Sequence, residues 1–235
     1  MTNPQDALKE PKAEDPLPGA VSFFVGGNFI SPSYYITWVL KHTIDFDPFE
    51  WVARQVAGDW EAVEKAADAA TNLGVFNDDF AKSIKSDWAN SAQNSWKGHA
   101  GDGANSYFQG LSGAVEWQVG PLQEIGHELS NIASSMRNLG RALADILQDL
   151  SDLALLWAAT EISAAYAGPA GEAFGAAVSA AYVIEMIAKR AELFEKVETV
   201  YKAITGIVAV LEGLTSHTSA DKLPELPNAY QFPGV

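Results

Sequence analysis

The chain has 235 residues, 48% of them apolar, with 30 carboxylates against 15 lysines and arginines and a net charge of −15. This is enough chain for one large domain or two small ones with a sizeable core. The acidic balance excludes phosphate recognition by clustered cations and adhesion to anionic lipid by charge alone. The chain has no cysteine, which removes disulfides and thiolate metal sites.

Residues 1–20 are polar and carry four prolines, which predicts a disordered leader. This N-terminus lacks the basic stretch of a secretory signal, and the first apolar run, Val21 to Ile30, is interrupted by glycines. The run predicts an extended segment, so 21–46 reads as that segment plus a short helix. Ser31-Pro32 is a helix start, with serine as N-cap and proline in the first turn. It opens a short helix to about Lys41 that is dense in aromatic side chains.

Asp47-Pro48 repeats the start signal, with Glu50 at the capping-box position. From there apolar residues recur every three or four positions: Val52, Val56, Trp60, Val63, Ala67, Ala70, Leu73, Phe76, Phe80, Ile84, Trp88. That is the seam of an amphipathic helix running to about Ser95, with bends expected at Gly58 and Gly74. Asn94 to Gly101 then reads as a hairpin turn. Trp96 is a bulky anchor for the opposite helix, and Gly98 can take a positive φ. Asp102 is the expected N-cap of the returning helix.

The returning pattern is the most regular in the chain: Tyr107, Leu111, Val115, Val119, Leu122, Ile125, Leu129, Ile132, Met136, Leu139, Leu143, Ile146, Leu150, Leu153. Pro121 lies inside it and predicts a kink or break near Val119 to Pro121. Gly168-Pro169 is a further stop-and-start signal. Beyond it a last helix carries Phe174, Val178, Tyr182, Ile187, Ala191, Phe194, Val197, Tyr201, Ile204, Val208 and Leu211 on its apolar seam, ending near Gly213 or Ser216. A Pro-rich disordered tail follows over 217–235. The fold class is all-α: an elongated helical bundle built on a long antiparallel hairpin over 47–150, with an Ala-rich helical hairpin extension over 151–216.

With the hairpin placed, a family resemblance emerges. Trp96-Lys97-Gly98 between two long helical seams, followed by Ala100, Gly101, Ala104 and Tyr107-Phe108, resembles the WXG100 proteins of type VII (ESX) secretion systems. Asp47-Pro48-Phe49-Glu50-Trp51-Val52 and Gly58-Asp59-Trp60 look like the longer actinobacterial members. The resemblance covers residues 47 to about 150. It implies a non-enzymatic, coiled-coil-like hairpin that docks on another helical hairpin, on a WXG100-like partner or on a second copy. A secretion ATPase or a toxin is a further implied partner. It also implies export from the cytoplasm to the envelope or medium without a cleaved signal peptide. Trp60, Trp88, Tyr107, Phe108 and Trp117 are the candidate interface residues, with Trp96 and Gly98 as the turn motif. The family's Tyr-x-x-x-Asp/Glu export signal is missing: Tyr107, Tyr166, Tyr182 and Tyr201 are followed four residues on by Leu111, Ala170, Met186 and Thr205.

Other chemistries find little support. His42, His99, His127 and His217 share no metal-ligand spacing, and no Gly-x-Ser-x-Gly elbow occurs. The Gly98 to Gly103 stretch lacks the Lys-Ser/Thr of a phosphate loop. No catalytic, cofactor or metal residue is assigned. The alternative is a membrane-active or toxin-associated protein. Between Leu153 and Ile187 the only charges are Glu161, Glu172 and Glu185, so this stretch reads either as a membrane-inserting hairpin or as a hairpin whose small residues pack closely. Leu153 to Ala167 is shorter than the roughly 20 residues of a span.

Overall fold

The computed structural model describes residues 3–13, 32–91 and 95–218. Every long element among them is a helix, and the class is all-α. The helices are α1 (Pro32–Ile44), α2 (Pro48–Gln55), α3 (Trp60–Ser91), α4 (His99–Trp117), α5 (Val119–Tyr166) and α6 (Gly168–Thr218). The extended segment expected over Val21 to Ile30, the Ser31 cap and the tail beyond Thr218 lie outside the described residues.

The chain divides into two compact units. The first contains residues 1–14, 61–132 and 206–235, and the second contains 15–60 and 133–205. The hairpin anticipated as one body over 47–150 is therefore shared between them. The expected first helix of that hairpin is also interrupted. Instead of bending at Gly58, the chain leaves the helix altogether between Gln55 and Trp60. The Trp60 indole lies over Gly58, where a Cβ would meet the ring at 2.8 Å, and its Nε1–H donates to the Val56 carbonyl at 3.0 Å. A carbonyl orphaned by the helix end is thus satisfied. Gly74 causes no break; it is buried in the middle of α3.

The second unit holds the larger apolar core. Met136, Leu139, Leu143, Ile146, Leu147 and Leu150 of α5 are buried among Ile36, Val39, Leu40 and Ile44 of α1, Phe49 and Val52 of α2, and Met186, Leu193 and Val197 of α6. The Leu/Ile/Met seam read along α5 is the one buried. Two polar contacts close the ends of the short helices. Arg190 of α6 donates from Nη1 to the Ile44 carbonyl at 2.9 Å, and its guanidinium lies over the rings of Phe46 and Phe194. Tyr201 donates its hydroxyl to the Gln55 carbonyl at 3.0 Å. Both satisfy carbonyls at helix C-termini, and the arginine also suits the negative end of the helix dipole. At the start of α2, Asp47 accepts from the Glu50 amide at 3.1 Å. The Glu50 side chain pairs with Arg54, so only half of the expected capping box is used. Lys189 of α6 pairs with Asp149 of α5 at 2.8 Å, and this hydrogen bond raises its pKa above the ordinary lysine value.

The α5–α6 hairpin turns at Gly168, which takes a φ of +70°. Its two helices come close because Gly171 and Gly175 have no side chain: a Cβ on either would collide with the Cβ of Ala167 or Ala164. The seam expected on α6 needs correction, however. Met186, Leu193 and Val197 are buried, whereas Phe174, Ile187, Tyr201 and Val208 are exposed. The helix is apolar on more than one side, so its period alone does not select a face.

In the first unit, α3 and α4 form an antiparallel pair. α4 ends at Trp117, four residues before Pro121. A proline lacks the N–H to bond that carbonyl and its ring collides with it, so the helix restarts at Val119 with Pro121 in its first turn. The buried face of α3 is also corrected. It consists of Ala67, Gly74, Asn77, Ala81 and Trp88, while Leu73 and Phe80 are exposed. Small and polar groups meet the returning chain instead: Ser112 of α4 donates to the Ala81 carbonyl at 3.0 Å, Asn77 donates to Gln118 at 3.2 Å, and Gly74 lies against Leu122 and Gln123 of α5. The leader also departs from an unstructured reading. Residues Pro4–Ala7 form a 3₁₀ turn capped by Asn3, and the Lys12 amide donates to Asp68 of α3 at 3.0 Å.

Truncating a side chain in the second unit's core removes buried area and leaves a cavity. Leu147→Ala is expected to lower unfolding stability by about 2–5 kcal/mol, measured by urea denaturation. The exposed Leu155→Ala should change it far less, within about 0.5 kcal/mol.

Candidate helix-docking site at the glycine turn

The turn between α3 and α4 is built by two glycines with different tasks. Gly98 precedes α4 at φ +83° and ψ −173°, a backbone region that only glycine visits without strain. It lets the helix begin at once, at His99. Asp102 therefore lies in the first helical turn rather than at the expected cap. Its amide donates to the Gly98 carbonyl at 3.0 Å, and its carboxylate suits the positive end of the helix dipole. Gly101 supplies close approach, since a Cβ there would sit inside contact distance of the Trp96 carbonyl oxygen.

Trp88, rather than Trp96, joins the two helices. Trp88 is buried on α3, its ring stacks on Phe108 of α4 at 4.8 Å between centroids, and its Nε1–H donates to Asn105 Oδ1 at 2.8 Å. Trp96 is 51% exposed and tilts over the edge of Trp88, with centroids 6.1 Å apart. Tyr107 meets Phe108 edge-on at 5.5 Å. Lys85 and Glu116 pair across the hairpin at 2.6 Å. An open hollow of about 450 Å³ is lined by Lys85, Trp88, Ala89, Asn105, Phe108 and Gln109. A second, of about 210 Å³, lies between Trp88, Trp96 and the turn.

Of the residues selected from the sequence, the structure brings Trp88, Trp96, Gly98, Tyr107 and Phe108 together. Trp117 stands exposed at the far end of α4. Trp60 belongs to the second unit and packs against its core. The sequence offers Gly101 only as a small residue after the motif and does not point to Asn105. A buried indole needs an acceptor for its N–H, and that need was the signal available for Asn105. Among the described residues, no three His, Asp or Glu side chains gather as a metal site. The walls of the larger hollow are aromatic and amide-bearing, a surface that can take an apolar side chain flanked by a hydrogen-bonding group. No protein-family model, curated protein or solved structure matches the chain.

Gly98→Ala should destabilise the protein by about 1–3 kcal/mol because its backbone conformation excludes a Cβ. Gly103→Ala, in open space within α4, should instead be neutral or stabilising by up to about 1 kcal/mol. Urea denaturation of both variants checks the contrast. Trp88→Phe keeps a ring beside Phe108 but drops the hydrogen bond to Asn105. It should cost about 0.5–1.5 kcal/mol for that bond, plus lost ring area, in the same assay.

Proposed function

We propose that this chain is a non-enzymatic helix-docking protein of the WXG100 kind. It would work in a type VII secretion system, as an exported substrate or as the pairing partner of one. The observation that carries the reading is how the α3–α4 hairpin is closed. Apart from Trp88 and Val115, its buried positions are small or polar, Asn77, Ala81, Gly101 and Ser112, while Leu73, Phe80 and Trp117 stay exposed. A hairpin that closes largely on small residues keeps much of its bulky apolar surface for another partner. Helical partners bind such faces through large anchors in a desolvated centre. The Trp96-Lys97-Gly98 turn, set between two antiparallel helices with Gly98 at positive φ, agrees with the family resemblance. With no Tyr-x-x-x-Asp/Glu at Tyr107, Tyr166, Tyr182 or Tyr201, the export signal would come from the partner.

A membrane-active role for Leu153 to Ile187 has one observation in its favour. Within α6, Gly168–Leu214 is long and apolar enough to cross a bilayer, and its most apolar window is only 17% buried. Three exposed carboxylates weigh against it: Glu161, Glu172 and Glu185. Each would cost roughly 2.5–3.5 kcal/mol near a bilayer centre on insertion scales. We therefore favour a protein partner.

Deleting the secretion ATPase of the source organism should abolish extracellular accumulation of this protein and raise its intracellular level, read by quantitative immunoblot of medium and cells. Unchanged extracellular levels would overturn the secretion role.

A further inference from the structure

The outer face of α6 carries a pattern that neither unit's core uses. Ala170, Phe174, Ala177, Ala181, Ile184 and Ala188 are all exposed, Phe174 by 74% and Ile184 by 69%. They are spaced four, three, four, three and four residues apart, and Ala191 extends the series by three more. This is the heptad repeat of a coiled-coil seam. The stripe lies on the side of the helix turned away from Gly175, Ser179, Met186 and Leu193, which are buried. The next position, Glu195, is charged and exposed, and ends it.

A bilayer surrounds a spanning helix on every side and has no use there for a seven-residue period. A second helix does, since knobs on one seam must find holes on the other. The order of large and small residues narrows the choice of helix. The stripe reads small, large, small, then small, large, small, and is symmetric about position 179. If two α6 helices lie antiparallel with a two-fold axis at that level, Phe174 of each copy meets Ile184 of the other. Ala177 then meets Ala181, and Ala170 meets Ala188. The alanines at the axis permit close approach, and the bulky pair sits on either side of it. The same symmetry places Glu185 at the level of Ala173 and Glu172 at the level of Met186, so no two carboxylates are forced together. A self-complementary patch of this kind is what a two-fold dimer requires.

We propose that the exposed face of α6 between Ala170 and Ala188 docks antiparallel on the same face of a second copy, making the protein a homodimer through its C-terminal helix. The proposal is independent of the secretion role and uses a different surface from the α3–α4 hairpin.

The test is the mass of the full chain by light scattering, at concentrations up to on the order of 100 µM, where a micromolar Kd gives mostly dimer. The expected mass is twice the 25.2 kDa of one chain. Ile184→Glu and Phe174→Glu should each weaken association at least about 100-fold while the far-ultraviolet helix signal is kept, since a charge at a desolvated interface centre is poorly tolerated. The absence of native cysteine allows a second measurement that needs no disruptive change. In the antiparallel pair the two copies of position 181 lie about 6 Å apart along the axis, on helices about 8–10 Å apart. Ala181→Cys should therefore give a covalent dimer with a short bis-maleimide. Glu172→Cys, on the opposite side of the same helix, should not.

A monomer at all concentrations overturns the proposal. So does a dimer that survives Ile184→Glu and fails to cross-link at position 181, which would place the contact elsewhere. Flotation of a monomeric chain with phosphatidylcholine vesicles would make the bilayer the occupant of this face and overturn it as well.

Discussion

The second unit depends on burying one stripe of α5. Met136, Leu143, Leu147 and Leu150 are removed from water entirely, and no single neighbouring helix covers them. α1 and α2 are short helices of 13 and 8 residues, marginal in isolation. They are held by apolar contact with α5 and by side chains of α6 that take up their terminal carbonyls. Arg190 and Tyr201 perform this for Ile44 and Gln55. Hydrophobic burial supplies the drive, and these two hydrogen bonds satisfy carbonyls at the ends of the short helices.

The first unit follows a different packing rule. Its α3–α4 pair closes largely on alanine, glycine, serine and asparagine, with Val115 and the Trp88–Phe108 stack as its large contacts. Close approach of backbones replaces the volume of large side chains, and polar groups inside are matched, as Ser112 and Asn77 show. Leu73, Phe80 and Trp117 are left at the surface. The α5–α6 turn repeats the device with Gly171 and Gly175, and there too large residues remain outside, on the stripe through Phe174 and Ile184.

Much of the architecture was legible in local chemistry. Asp47-Pro48, Gly98, Pro121 and Gly168-Pro169 mark helix boundaries because each acts on backbone groups within one turn: a cap accepted, a conformation permitted, a hydrogen bond removed. The α5 seam was legible because its Leu, Ile and Met residues occupy one face and its other face is largely polar. The turn at Trp96 to Gly98 was placed for the same local reasons, together with most of the aromatic residues around it.

Tertiary structure alone decided which faces of α3 and α6 are inside. Both helices carry apolar residues on more than one side, so periodicity offered several seams of similar merit. The seam that wins is set by what the neighbouring helix presents. Where α3 meets its neighbours and at the α5–α6 turn, small residues in register let two backbones approach, whereas further along α6 the large Met186, Leu193 and Val197 fill the core. The roles of the two tryptophans were also settled by the packing. Trp88 reaches Asn105 and Phe108 across the hairpin, while Trp96, held in the turn itself, keeps half its surface in water. A chain's own residues determine where its helices end, whereas the choice of buried side requires the partner that does the burying.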